Sequence, residues 1–162
     1  MKPLFMLVCS VFLFANLTAQ KQCDFKELTI QDKKELIFFW SSLRKNVNQK
    51  DKKELANLCS FPFTCSICKG TSSDKPYIEV NNFSFFKEHH KIFFEEYFID
   101  VVNKSEILQL LNIDVSEKDG SCMYNFSFPI VKPSKKGEGV QGFFTIKKVK
   151  EKFKIVSVWS IP

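Results

Sequence analysis

The spacing of apolar residues changes once along the chain, near Ile113, and this change restricts the folds open to it. Before Ile113, apolar residues recur at steps of three and four, as on one face of a helix. After it, β-branched and aromatic runs are separated by turn-like segments, as in a strand meander. Helices followed by an antiparallel sheet predict an α+β fold, with the helices packed on one side of the sheet.

The first half predicts four helices, over 30–47, 51–59, 83–99 and 105–112. The first is expected to turn one apolar face to the core, carrying Leu36, Ile37, Trp40, Leu43 and Val47. Pro62 cannot continue a helix, so the chain is expected to leave the second helix as an extended segment. The run "YIEV" predicts a short strand.

The second half predicts three antiparallel strands after residue 120, in "CMYNFSFPIV", "GVQGFFTIKKV" and "KFKIVSVWSI". The last is apolar on both faces near Ile155, so we expect it at the centre of the sheet. Trp40 and Trp159 are both predicted to be core residues. The 19 phenylalanines have two interpretations, a codon bias of the genome or an aromatic-lined cavity, and the two are compatible.

The first twenty residues, "MKPLFMLVCSVFLFANLTAQ", have the layout of a secretory signal peptide. A charged start with Lys2 precedes an apolar run of about a dozen residues, and the small residue Ala19 follows. We therefore predict a signal peptide over 1–19, cleavage near Ala19, a single domain over 20–162, and a secreted or periplasmic location. The apolar run is too short to span a bilayer, and no later segment reaches that length without charges, so no transmembrane segment is expected.

The chain is basic, with a net charge of +6, but Arg44 is its only arginine. Nucleic-acid-binding proteins rely on the two-pronged donors of arginine, so nucleic acid is not an expected partner. The final hairpin concentrates lysines at Lys147, Lys148, Lys150, Lys152 and Lys154. They either protect strand edges from pairing or form a docking patch for an acidic partner.

The runs "FFWSSLRKNVNQKDKKELANLCSFPF" and "FFTIKKVKEKFKIVSVW" resemble the first two helices and the closing hairpin of the nuclear transport factor 2-like (SnoaL-like, cystatin-superfamily) cone. The chain is similar in particular to small exported bacterial members of unknown role. The resemblance implies helices packed into a bent antiparallel sheet, with a pocket at the wide end of the cone. Enzymes of that superfamily use a pocket Asp, or His with Asp, and a Tyr donor. The strands here carry no matching Asp, so no catalytic residue is assigned.

Six residues are candidates for a pocket: Trp40, Phe86, His90, Phe93, Tyr97 and Tyr124. On a continuous helix over 83–99, Phe86, His90, Phe93 and Tyr97 would share one face. His90 is either a pocket acid/base or a satisfied core histidine, and the tyrosines can donate hydrogen bonds to a ligand or to backbone. The adjacent His89 and His90 do not converge on a metal. No glycine-rich phosphate loop or nucleotide fingerprint is present, so no cofactor and no metal are expected.

Five cysteines remain after the predicted signal peptide: Cys23, Cys59, Cys65, Cys68 and Cys122. An exported chain favours disulfides, and five thiols leave at least one unpaired. We favour Cys65–Cys68, with Cys59 as a buried free thiol on the short second helix and Cys23 exposed near the start. Bonds from Cys59 to Cys65 or Cys68, or a bond to Cys122, remain open because connectivity cannot be deduced from sequence. A zinc site with His89 or His90 as fourth ligand and a redox Cys-x-x-Cys at a helix start are the alternatives.

Three classes of function are open to such a chain. The first is a non-enzymatic exported module, monomeric or homodimeric, that binds a small molecule, a peptide or an envelope component in a cone pocket. The second is a cone-type isomerase, dehydratase or hydrolase that draws its acid/base from His90, Tyr97 and Tyr124. The third is a structural partner in an envelope assembly. Convergent ionisable groups would favour the enzyme, a dry aromatic pocket would favour binding, and a filled cone would favour the third class.

Overall fold

The computed structural model describes residues 23, 26, 28–68, 76–131 and 139–161. Its helices are α1 (Ile30–Gln49), α2 (Lys52–Asn57), α3 (Asn82–Lys87), α4 (Glu96–Lys104) and α5 (Ile107–Leu110), with a 3₁₀ helix (His89–Phe94) between α3 and α4. Its strands are β1 (Cys59–Cys65), β2 (Ile78–Val80), β3 (Leu111–Val115), β4 (Cys122–Val131), β5 (Val140–Val149) and β6 (Lys152–Ile161). The predicted α+β class is confirmed.

All six strands belong to one sheet, in the order β2-β1-β6-β5-β4-β3. The antiparallel meander β4-β5-β6 is present as predicted, and β6 lies inside the sheet, which confirms its central position. One neighbouring pair, β1 and β6, is parallel. The sheet is therefore mixed, because β6 joins the meander to the β1–β2 hairpin.

Helix α1 begins and ends at local signals. The Thr29 side chain accepts a hydrogen bond from the backbone N–H of Asp32 at 3.0 Å, which satisfies a free donor of the first turn. Lys50, in the left-handed conformation at φ 53°, ends the helix. The buried face carries the predicted Leu36, Trp40, Leu43 and Val47, together with Phe39. The prediction that Ile37 lies on this buried face is wrong, because Ile37 is 45% exposed.

The predicted continuous helix over 83–99 is wrong. Glu88, with φ −148°, and Glu95, with ψ 135°, leave the helical conformation and divide the segment into α3, the 3₁₀ helix and α4. A face drawn at about 100° per residue does not continue through two such breaks. As a result His90 and Phe93 are buried, whereas Phe86 and Tyr97 are each 40% exposed.

Two strands replace residues that were predicted as helix ends or coil. The second helix ends at Asn57, and Cys59 pairs in β1 with Ile155 of β6. The fourth ends at Leu110, and Leu111 pairs in β3 with Phe126 of β4. In both places the conformation depends on pairing with a strand that is distant in the sequence. A pattern of neighbouring residues carries no information about such pairing.

Aromatic rings fill the space between the helices and the sheet. Phe144 lies at the centre, with ring centroids 4.7 Å from Phe98, 5.0 Å from Phe93 and 5.3 Å from Phe126. Trp40 meets Phe126 edge-on at 5.0 Å, which confirms its predicted place in the core. All five side chains are at most 1% exposed. The abundant phenylalanines thus pack against one another.

Trp159 lies on the other face of the sheet. Its neighbour Val158 belongs to the core, and side chains alternate between faces along a strand. Trp159 is only partly buried and stacks on Phe143, with centroids 4.2 Å apart and planes 12° apart. The prediction that Trp159 is a core residue is therefore wrong.

The cysteines form two disulfides, Cys65–Cys68 and Cys23–Cys122, and leave Cys59 free and buried. The first bond and the buried free thiol were predicted. Cys59, however, begins β1 rather than lying on the short helix, and Cys23 is bonded rather than free. Cys65 is the last residue of β1 and does not lie at the start of a described helix, as a redox Cys-x-x-Cys would. The Cys65–Cys68 bond uses two of the three thiols of the proposed zinc site, so that ligand set is not available. Burial raises the pKa of the Cys59 thiol, which makes it unreactive.

Two disulfides indicate an oxidising compartment, extracellular or periplasmic. The predicted signal peptide over 1–19 lies outside the described residues and stays a prediction. Among the helices of the described ranges, none combines the length and apolar character that a membrane crossing requires.

Candidate functional site

The six pocket candidates lie in three different surroundings. Trp40 and Phe93 belong to the aromatic core. Phe86 and Tyr97 are partly exposed on α3 and α4. Tyr124 is buried on β4, where it meets the Phe153 ring edge-on at 5.3 Å. Burial raises the pKa of Tyr124.

His90 has the environment of a satisfied core residue. Its Nδ1–H donates to the Phe85 carbonyl oxygen at 2.9 Å, since a carbonyl can only accept. Its ring lies between those of Phe85 and Phe94, with centroids at 6.2 and 5.9 Å. His90 and Tyr124 therefore have different aromatic neighbours, and the roles of His90, Tyr97 and Tyr124 as pocket residues stay predictions.

A groove of about 1100 Å³ lies outside the aromatic core, bordered by α1, α2 and the β5–β6 hairpin. Its apolar side chains are Phe38, Phe39, Leu58 and Phe153. Phe38 is 75% exposed, whereas Phe39 and Phe153 are buried. Its polar and charged lining comprises Gln31, Lys34, Glu35, Ser42, Lys45, Asn46, Glu54, Asn57, Glu151, Lys152 and Lys154. None of the six predicted pocket residues is among them.

A second hollow, of about 500 Å³, is lined by Pro76, Tyr77, Ile78 and Glu79. These four residues are consecutive and border a part of the chain outside the described ranges. The groove beside α1, with walls from three elements, is the candidate site.

One face of α1 forms the long wall of this groove. Gln31, Glu35, Phe38, Ser42 and Asn46 line it at steps of three and four, so they lie along one side of the helix. At about 1.5 Å of rise per residue, the wall from Gln31 to Asn46 is about 22 Å long. The groove is therefore long enough for an extended segment of another chain.

An ion cluster lies near the start of α1. The Lys148 ammonium is 2.8 Å from Asp32 Oδ1, 3.2 Å from Glu35 Oε2 and 3.5 Å from Glu151 Oε2. Its hydrogen bond to Asp32 raises the pKa of Lys148 and lowers the pKa of Asp32. Hydrogen bonds from Gln31 and then from Lys148 lower the pKa of Glu35. These groups stay charged near neutral pH, and the three carboxylates outnumber the single ammonium, so the cluster carries a net charge of about −2.

The lining of the groove carries four lysines and three glutamates, so positive charges exceed negative ones by one. Lys34, Lys45 and Lys152 are exposed, and no ion pair joins any of them to another described residue. Lys154 donates to the Asn57 carbonyl oxygen. Among the lining acids, only Glu54 has no described ion pair. The groove thus combines three lysines that have no described ion pair with several apolar side chains.

The predicted role of the hairpin lysines in edge protection is wrong. Strands β5 and β6 both lie inside the sheet, and the edges are β2 and β3. Lys147 pairs with Asp119 at 3.3 Å, and Lys148 is held in the ion cluster. Lys152 and Lys154 line the groove, so the interpretation as a docking patch applies to them.

Two uncharged polar side chains of α1 face the groove without a described hydrogen bond. Asn46 lines the groove although it is only 6% exposed, and no hydrogen bond joins its side-chain amide to another described residue. Ser42, one turn earlier, is partly buried and lines the groove in the same way. Unpaired groups of this kind are available to a ligand or to water.

The groove offers groups that can bind a ligand. The Lys148 ammonium is held by three carboxylates, and the raised pKa keeps it protonated. Within residues 28–68, 76–131 and 139–161, no group of three or more His, Cys, Asp or Glu side chains is placed to hold a metal ion. The arrangement can accept negative charge, apolar side chains and main-chain hydrogen bonds.

No family model matches the sequence, and no curated protein matches it. The chain is similar to solved structures. One is an NTF2-like protein of unknown function from Shewanella baltica OS155, with 14% identity, coverage of 82% of this chain and 96% of the other, and a TM-score of 0.39. Another is a candidate dehydratase of the NTF2-like family from Streptomyces avermitilis, with 13% identity, 82% and 97% coverage, and a TM-score of 0.40.

A third is a candidate calcium/calmodulin-dependent protein kinase II association domain from Xanthomonas campestris, with 14% identity, 82% and 86% coverage, and a TM-score of 0.37. Two of these structures are described as NTF2-like, the group that the sequence resembles.

Proposed function

We propose that this protein is an exported, non-enzymatic module that binds an acidic segment of a partner protein in the groove between α1, α2 and the β5–β6 hairpin. The observation that carries the proposal is the exposed Phe38 in a groove that also holds buried apolar side chains and three lysines without described ion pairs. An exposed aromatic side chain with unpaired cations around it fits a ligand that carries both apolar side chains and carboxylates.

The aromatic core supports binding at the surface rather than catalysis in a cone pocket. Phe93, Phe98, Phe126 and Phe144 occupy the space between helices and sheet. Of the ionisable side chains expected for an enzyme, His90 and Tyr124 have different neighbours, and Tyr97 is 40% exposed. By the criterion set from the sequence, a filled cone favours the third class, a structural partner in an envelope assembly; the surface groove is what supports binding instead.

Export rests on the layout of residues 1–19 and on the two disulfides. Mass spectrometry of protein from its native host should find a mature N-terminus near Gln20 or Lys21. An intact Met1 on most molecules would overturn the secreted or periplasmic location.

The binding proposal is tested with a fluorescein-labelled probe peptide of sequence Asp-Leu-Asp-Phe-Asp-Leu-Asp, followed by fluorescence anisotropy. We expect saturable binding that weakens as salt is raised, because the attraction is between exposed charges. The same peptide with lysine in place of aspartate should not bind. Equal binding of both peptides would contradict the proposal.

Charge-reversal variants locate the binding surface. The double variant Lys34→Glu, Lys152→Glu should weaken binding of the acidic peptide about tenfold or more, because it replaces attraction with repulsion on both walls of the groove. Lys91→Glu, an equally exposed lysine on the 3₁₀ helix outside the groove, is the matched control and should leave affinity nearly unchanged. The reverse pattern would place the site elsewhere.

A further inference from the structure

We infer that the ligand lies extended in the groove and that Asn46 and Ser42 bind its main chain. This inference rests on the proposed function and adds the conformation of the ligand and the residues that recognise it. It is carried by the two polar side chains of α1 that line the groove without a described hydrogen-bond partner.

Asn46 is the stronger observation. Its side chain is more than nine-tenths buried on α1, where an apolar residue would fit the helix equally well. Its amide is not among the fully buried unsatisfied groups, and the residue lines the groove, so the amide is accessible to a hydrogen-bonding ligand there. The side-chain amide offers one carbonyl acceptor and an NH₂ donor. This is the complement of the N–H and C=O of a peptide unit.

The spacing of the two residues fits an extended chain. Side chains four apart on a helix have Cβ atoms about 5–6 Å apart, and this applies to Ser42 and Asn46. Main-chain groups on one edge of an extended peptide repeat every two residues, or about 6.6 Å. A helical ligand would satisfy its own main-chain groups and would leave the Asn46 amide unpaired.

The length and the lining of the groove agree with this orientation. A wall of about 22 Å accommodates about six or seven extended residues. Alternate side chains of such a segment would point to the floor formed by Phe39, Leu58 and Phe153. The remaining side chains would point outward to the lysines on the rim. The ligand class is therefore an extended acidic segment of about seven residues with apolar residues at every second position.

The test uses the probe peptide in two further forms, N-methylated at its odd-numbered or at its even-numbered residues. Methylation removes the main-chain donors of one edge and leaves the side chains unchanged. We expect one form to bind wild-type protein about tenfold more weakly, the loss expected for a main-chain hydrogen bond, and the other to change less than threefold. Equal affinities for the two methylated forms would overturn the inference.

Protein variants assign the contact. Asn46→Leu, of similar size, should bind the unmethylated peptide about tenfold more weakly and should no longer distinguish the two methylated forms. Ser42→Ala should show the same changes to a smaller degree. Full affinity and full discrimination in Asn46→Leu would also overturn the inference.

The outcomes separate this inference from the proposed function. If no form of the acidic peptide binds wild-type protein, both fall. If the acidic peptide binds with the expected charge dependence but methylation has no effect on either edge, the inference falls and the proposed function stands. The methylated peptides need only wild-type protein, so a variant that fails to fold does not decide the result.

Discussion

The indole Nε1–H of Trp159 donates a hydrogen bond to Thr145 Oγ1 at 3.0 Å. Thr145 in turn donates to Asn125 Oδ1 at 2.7 Å, and the Asn125 amide donates to Asp114 Oδ2 at 2.7 Å. These four residues belong to β6, β5, β4 and β3, and Thr145 and Asn125 are buried. The chain of donors thus crosses four strands and is satisfied only in the native register of the sheet.

Thr145→Val should lower the free energy of unfolding by about 1–3 kcal/mol, because the isosteric change leaves the Trp159 N–H and the Asn125 carbonyl oxygen without their partner. Urea denaturation followed by fluorescence measures the loss. Gln141→Ala, at an exposed position of the same strand, is the control and should change stability by less than about 0.5 kcal/mol. A Thr145→Val variant as stable as wild type would show that the chain of hydrogen bonds adds nothing.

Arg44 should not be replaceable by lysine. Its guanidinium donates to the Val102 and Ser105 carbonyl oxygens, each at 2.8 Å, and so connects α1 to the end of α4. Lysine keeps the charge but loses the planar two-pronged geometry. Arg44→Lys is expected to destabilise the protein by about 1–3 kcal/mol in thermal or urea unfolding.

The neighbouring Lys45→Arg is the charge-conserving control for this variant. Lys45 is exposed on the same helix and has no described ion pair, so the swap should leave stability within about 0.5 kcal/mol of wild type. Equal effects of the two swaps would mean that Arg44 contributes only its charge.

The two disulfides should contribute unequally to stability. Cys23–Cys122 joins residues 99 positions apart, whereas Cys65–Cys68 joins residues 3 apart. Loop-closure entropy then predicts a loss of about 4.7 kcal/mol for the Cys23→Ser, Cys122→Ser variant and about 2 kcal/mol for Cys65→Ser, Cys68→Ser. Urea unfolding of both double variants gives the comparison, and a larger loss for the short loop would contradict it.

Peptide mapping without reduction checks the connectivity directly. Both disulfide-linked peptide pairs should be recovered, and Cys59 should be alkylated only after denaturation, because the thiol is buried. Alkylation of Cys23 in native protein would contradict the long-range bond.

Acid should weaken the attachment of α1 to the sheet. Lys148 lowers the pKa of Asp32 in the folded protein, so the stabilising contribution of Asp32 is present above its usual pKa of about 3.9. That contribution is lost as the pH falls toward the lower pKa of the folded state. Wild-type protein should therefore lose stability below about pH 4 more steeply than Asp32→Asn.

Lys148→Gln serves as the reciprocal variant. Removing the shared cation should lower stability at pH 7 and flatten the acid dependence in the same pH range, since Asp32 and Glu35 both lose the ammonium that pairs with them. Urea unfolding at a series of pH values measures both effects. Parallel pH profiles for wild type and both variants would show that the ion cluster does not stabilise the fold.

The parts of the fold that the sequence predicted correctly are those that depend on neighbours in the chain. Helix α1 has its cap, its apolar face and its terminating residue within one segment, and the β5–β6 hairpin is equally local. Strand β1 was only partly predicted, because it is held by contacts such as the 2.9 Å hydrogen bond between Thr64 and Ser157. The Cys23–Cys122 pairing likewise could not be predicted from the sequence, since many connectivities fit the same cysteine spacing.

The candidate site was missed for a related reason. The pocket was expected on one continuous helix, and the breaks at Glu88 and Glu95 removed that face. Phe38 and Asn46 belong to α1, whose apolar periodicity indicates only the core face. Their place beside a groove depends on where α2 and the β5–β6 hairpin pack against α1. The clustering of lysines in the final hairpin was the one signal in the sequence that pointed toward this surface.

The position of β6 in the sheet constrains the order in which the fold can be completed during synthesis. The β1–β2 hairpin and the β3–β4–β5 ladder have β6 as the strand between them, and β6 is the last of the six strands to be made. Until its ten residues have emerged, the two parts of the sheet cannot be joined. A chain interrupted before Lys152 would thus expose two unprotected strand edges, on β1 and β5, and be a target for aggregation and proteolysis.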